Sequence, residues 1–134
     1  MAYETLPGAI TNGDNSTQRF YAVRLTGSTA VDFEIGVCTS AIFRPIGILQ
    51  DNPNTSGSPA EVAISGVAKA QFAGTVAQGD PLGTDAAGRL ITLIENAAAG
   101  SSFTYVIAYS LQNGTSGGNY TVLLCSPHTA SSGA

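Results

Sequence analysis

Polar and apolar residues along this chain alternate far more often than they recur at helical spacing. In VDFEIGV (31–37), Val31, Phe33, Ile35 and Val37 fall on one side and Asp32 and Glu34 on the other. That is the pattern of a strand with one wet face. RFYAVRL (19–25) is rich in strand formers, and PIGILQ (45–50) is a short apolar strand. AEVAIS (60–65) and GVAKAQF (66–72) read as the next strands, or as one strand bent at Gly66. A short strand centred on Leu82, then RLITLI (89–94), FTYVIAYSL (103–111) and YTVLLC (120–125), complete the series. In FTYVIAYSL, Phe103, Tyr105, Ile107, Tyr109 and Leu111 share a face that the alternation assigns to the core. No stretch of ten or more residues keeps a 3.6-residue apolar period.

The breaks between these runs carry turn chemistry. DNPNTSGSP (51–59) and QNGTSGGN (112–119) are built of Asn, Asp, Pro, Gly and Ser, and ENAAAGSS (95–102) is a loop. Eight or nine short strands with a turn about every ten residues predict an all-β domain, a single small β-barrel or β-sandwich, over 19–125. Residues 1–18 read as an extended N-terminal arm and 126–134 as a flexible, polar C-terminal tail. GDPLGTDAAGR (79–89) resembles a phosphate-binding loop only on the surface. Gly83 to Gly88 has the Gly-x-x-x-x-Gly spacing, but Arg89-Leu90 follows where Lys and Ser or Thr are needed, and no helix comes after. Two tight turns around a short strand explain the stretch.

Composition narrows the function. Charged residues make up 10% of the 134, against about 25% in an average domain. An uncharged, small-residue polar surface suits an extracellular module or a subunit whose faces are covered by neighbours. The net charge is −4, and Arg19, Arg24, Arg44, Lys69 and Arg89 are scattered, so no nucleic-acid partner is expected. No run approaches the roughly 18 apolar residues of a membrane span. The start, MAYETLPGAITNGD, lacks the basic and apolar regions of an export signal, so synthesis in a cytosol is expected, with retention there or exit by another route such as lysis. Cys38 and Cys125 are expected to be free thiols.

Candidate chemistry is sparse. Cys125, His128 and Cys38 give three metal ligands at most. Ser126 beside His128 would rest a nucleophile and its base on the terminal tail. Asp32 and Glu34 point to solvent on one strand, and Asp51, Asp80 and Asp85 sit at turns, where Asp bonds its own backbone; a calcium site there is a minor alternative. No enzyme activity, metal or cofactor is expected. Tyr3, Leu6 and Pro7 are apolar residues in an arm whose own segment does not call for them. They serve either docking onto a partner or packing on the chain's own domain.

The run PIGILQDNP followed by AEVAISGVAKAQFAGTVAQGDPLGTDAAGRLI resembles the capsid cement, or head decoration, proteins of tailed bacteriophages. The similarity covers about residues 31–94, with a weaker echo in YVIAYSLQNGTSGGNYTVLL. It rests on the order and spacing of turns and small-residue strands. The resemblance implies a structural virion protein, made in the host bacterial cytoplasm, that binds the outer capsid surface and stabilises the assembled head. Its partners would be the major capsid protein and copies of itself, a trimer before a dimer. Tyr3, Leu6, Pro7, Phe43 and Arg44 are the expected assembly contacts, with Arg44, alone in IFRPIG, pairing a carboxylate across an interface. The alternative is a virion-displayed β module that recognises a host-surface glycan, which the lack of tryptophan disfavours.

Overall fold

The computed structural model describes residues 2–40, 43–93 and 105–129. Among them it is all-β, with ten strands: β1 (Tyr3–Thr5), β2 (Ile10–Thr11), β3 (Ala22–Leu25), β4 (Glu34–Val37), β5 (Gly47–Leu49), β6 (Val62–Gln71), β7 (Pro81–Thr84), β8 (Leu90–Thr92), β9 (Tyr105–Ser110) and β10 (Asn119–Thr129). They form one sheet in the order β2-β4-β3-β5-β6-β10-β9-β7-β8, with β1 added against β6. All pairings are antiparallel except β2 with β4. The sheet curls, so that Phe72, just beyond β6, bridges Leu90 of β8, yet it does not close into a barrel.

The long strand β6 is the spine. Its two predicted pieces are one strand, and the bend lies at Gly66, which has φ +91. Gly66 faces Tyr3 of β1 and Leu124 of β10, marking where one partner gives way to the other. A Cβ there would lie 2.5 Å from the carbonyl oxygen of Ala2. Only glycine meets both demands.

Alternation along three strands supplies two cores. Ala22, Ile48 and Ala63 point into a large cluster with Ala68, Ala70, Phe72, Leu82, Leu90, Ile107, Ala108 and Val122. Their chain neighbours Val23, Leu49 and Val62 point the other way, into a smaller cluster with Ala9, Ile35 and Val37. Successive strand residues face opposite sides of a sheet, so β3, β5 and the start of β6 are buried on both. This explains the unbroken apolar run of β5.

The smaller cluster needs a cover, and the N-terminal residues provide it. Residues 3–5 run extended, but along their own sheet. The Leu6 N–H donates to the Val62 carbonyl at 3.0 Å and the Val67 N–H to the Ala2 carbonyl at 2.9 Å. Leu6 packs against the cluster and Ala9 is buried in it. At the other end, β10 continues through Ser126–Pro127 to Thr129, where His128 and Thr129 pair with Val106 and Tyr105. The first residues of the expected tail are therefore strand. Pro127 lacks an N–H, and the register with β9 shifts between Leu124 and His128 to pass it.

Two faces differ from their expected assignment. β4 begins only at Glu34, and Phe33 sits in the preceding turn with φ +59 and 55% exposed, so the alternation ends at Ile35. In β9 the fully buried row is Val106, Ala108 and Ser110; Ile107 is buried as well, Tyr105 and Tyr109 are half-buried, and Leu111 is exposed. Phe103 lies outside the described residues.

Candidate assembly surface

The stretch GDPLGTDAAGR is a pair of corners whose carboxylates are spent on the backbone. Asp80 accepts the Ala77 N–H and the Thr92 hydroxyl, both at 2.9 Å. Asp85 accepts the N–H groups of Ala87 at 2.8 Å and Arg89 at 3.0 Å, and its other oxygen lies 3.8 Å from the Arg89 guanidine. The second corner also ties the two ends of the sheet together. The Gly88 carbonyl accepts the Ala22 N–H at 2.7 Å, and a Cβ on Gly88 would strike Val37 and Cys38.

The other residues of candidate chemistry are dispersed. Among the described residues no three of His, Cys, Asp and Glu converge. Cys38 is buried in the large cluster, and loss of hydration pushes its thiol up to about 12, against a smaller opposing pull from Arg24. Cys125 is half-buried on β10 and is likewise raised by burial. His128 is exposed further along that strand, with Nδ1 3.1 Å from the Ser126 carbonyl.

The five expected contact residues serve two places. Tyr3 lies on β1 against the large cluster, and its hydroxyl donates to a Glu61 carboxylate oxygen. That bond, then burial, raises the Tyr3 phenol above its ordinary value. Leu6 packs on the small cluster, and Pro7 beside it is exposed. Phe43 packs against the large cluster, with the Arg24 guanidinium 4.1 Å above its ring. Arg44 is exposed and meets no carboxylate among the described residues. Tyr3, Leu6 and Phe43 therefore each have a use inside their own chain, whereas Pro7 and Arg44 remain turned to solvent.

Four large apolar side chains are exposed among the described residues: Phe33 and Leu111, which the alternation put on apolar faces, and Leu25 and Leu123, which it did not single out. Leu123 belongs to a row that crosses the sheet, since Val67, Leu123, Tyr109 and Pro81 face one another in register on β6, β10, β9 and β7. Register of this kind is not visible in any one segment.

No family model matches the chain, and no curated protein does. Among solved structures the fold is similar to that of the N-terminal base of the head fibre protein gp8.5 of bacteriophage phi29. The likeness has a TM-score of 0.63 at 11% sequence identity and covers 92% of this chain and 93% of that one. At that identity it is a likeness of fold.

Proposed function

We propose that this chain is a structural protein of a phage particle, seated on the outer surface of the head against the major capsid protein and bracing the assembled shell as a cement or decoration protein. The observation that carries the reading is the fold held in common, over nearly the whole of both chains, with the base of a phage head fibre. The sequence resemblance to capsid cement proteins points the same way, although it was read from different features, the order of turns and small-residue strands between residues 31 and 94.

The physics of such a role asks for stiffness and repetition rather than catalysis. A sheet buried on both faces along β3, β5 and the start of β6 supplies a stiff body. Few surface charges keep the desolvation cost of a covered face low. Many weak contacts repeated around a closed shell become effectively permanent. Copies of the chain, as a trimer first and a dimer second, would set that repetition.

Quantitative mass spectrometry of purified particles tests the proposal. The expected result is this chain in a fixed, symmetry-related ratio to the coat subunit. Its absence from particles, or a scatter of substoichiometric copies removed by washing, would overturn it.

A further inference from the structure

A depression on the surface is lined by Tyr3, Arg19, Phe20, Gln50, Lys69 and Asn119 and holds about 550 Å³, within the roughly 300–1,000 Å³ of small-ligand sites. Its floor is built from spent groups. Gln50 is buried; its Nε2 donates to the carbonyls of Lys69 at 2.9 Å and Ile48 at 3.3 Å, and its Oε1 accepts the Lys69 N–H at 3.4 Å. Phe20 is held at φ +73, a conformation that bulky residues rarely adopt, by its N–H on the Leu49 carbonyl and its carbonyl on the Gln71 N–H.

This backbone fixes a cation. The Phe20 ring lies 4.8 Å from the Arg19 guanidinium carbon, and Arg19 Nε donates to the Gln50 carbonyl at 2.9 Å. The guanidinium is therefore clamped at Nε and across one face, while its Nη groups have no partner among the described residues. Lys69, which lines the same depression, makes no ion pair among the described residues either. The nearby acids form no ion pair with either cation among the described residues: Glu61 accepts from the Tyr3 hydroxyl, and Asp51 accepts the Glu61 N–H at 3.1 Å. Two of the five cations of a chain with net charge −4 thus line one depression, one of them held in place and neither in an ion pair among the described residues.

We infer that this depression binds a carboxylate carried by an acidic segment of a partner polypeptide, with Arg19 and Lys69 as its charge-assisted donors. A fixed guanidinium fork and a mobile ammonium match the oxygens of one carboxylate. A saccharide fits less well. Sugar recognition needs bare aromatic faces and free amide or hydroxyl groups. Here one Phe20 face is covered by Arg19, the Gln50 amide is bonded to β5 and β6, and the Tyr3 hydroxyl is bonded to Glu61, which leaves Asn119 as the one lining residue with a side-chain amide free of hydrogen bonds among the described residues. The inference rests on the proposed function only in taking that polypeptide to be a coat subunit; the carboxylate site stands apart from it.

The test is titration of the full-length protein, followed by the amide and arginine side-chain resonances, with a blocked oligoglutamate peptide, the matching oligoglutamine peptide and oligogalacturonate. Oligoglutamate is expected to move the signals of Arg19 and Asn119 saturably, and oligoglutamine is not. Lys69→Gln, which breaks no ion pair and keeps a long polar side chain, is expected to weaken binding by about tenfold, as is Arg19→Gln. Arg19→Lys is expected to bind more weakly than the parent despite its retained charge. Equal response to oligoglutamine, shifts that map elsewhere, no saturable response, or unchanged affinity in Lys69→Gln would each overturn the inference, and tighter binding of oligogalacturonate here would replace it with a saccharide site. Lys69→Gln that binds phage heads as the parent does would remove the coat subunit as the partner. A parent that binds the peptide but not heads would count against the proposed function alone.

Discussion

The two cores are fed by the same strands and built from different residues. The large cluster holds five alanines around Phe72, whose ring stacks on Tyr120 at a centroid distance of 4.8 Å. The small cluster is nearly all branched aliphatic: Val23, Ile35, Val37, Leu49 and Val62. The difference follows from what closes each one. The large cluster is closed by the curl of the sheet, which brings strands close enough that small residues fill the space. The small cluster is closed by the N-terminal segment, a thin cover, so bulk comes from the sheet itself. Leu6, which reads as part of a sticky arm, serves in this way in the lid with Ala9, while Pro7, Arg44 and the exposed leucines and phenylalanine face solvent.

The contrast can be broken by mutation. Phe72→Ala is expected to cost most, about 3–5 kcal/mol, because the curled sheet cannot collapse onto the vacated ring; denaturant unfolding measures it. The second effect depends on pH. The large cluster holds the Cys38 thiol, raised from its ordinary value to about 12, whereas the buried residues of the small cluster carry no titratable side chain and Tyr21 packs only at its edge. A raised folded value means that the native state favours the protonated thiol. Its contribution is therefore complete below pH 9 and is lost as pH rises from 9 towards 12, by up to about 4 kcal/mol. Tyr3 and Cys125 shift in the same direction, so the comparison is between the parent and Cys38→Ala. The variant is expected to lose less stability over that window, and identical profiles would count against a deeply buried thiol.

Leu49→Ala in the small cluster is expected to cost about 2–4 kcal/mol, less than Phe72→Ala, because the lid can settle into the gap. A larger loss than for Phe72→Ala would show that the lid is as rigid as the sheet. Leu6→Ala trims the lid from outside and is expected to cost about 1–2 kcal/mol. Arg44→Ala should leave stability within about 0.5 kcal/mol. If Arg44 meets a coat carboxylate, it should loosen attachment to heads.

Much of the fold was legible because it depends on local chemistry. The turns of 51–59 and 112–119, the bend at Gly66 and the corners at Asp80 and Asp85 all follow from what Gly, Pro, Asn and Asp do to their own backbone. What was illegible depends on tertiary contacts. Phe33 continues the alternation on paper, but its left-handed φ takes it out of β4 and into solvent. The odd-numbered face of β9 reads as core, yet only Ile107 of it is fully buried while Val106, Ala108 and Ser110 are buried as well, because the strands on either side and the curl of the sheet cover both faces at the middle of β9. Ser126 to Thr129 look like a tail, but β9 offers them a partner that composition does not reveal. Of the expected contact residues, Tyr3, Leu6 and Phe43 were found for their apolarity, and the structure supplies a simpler use for it inside the chain. The Arg19–Lys69 pair left no local signal, since fifty residues separate its members and only the register of β6 beside Gln50 unites them.

The role proposed for the molecule is that of a stiff brace on a phage head. Its most direct measurement adds purified protein to heads lacking it and follows both bound copies and the temperature at which packaged DNA escapes. Saturation at a stoichiometry fixed by head symmetry, with a higher release temperature, is the expected result. Heads that take up no protein, or that fill to saturation and still release DNA at the unloaded temperature, would contradict it.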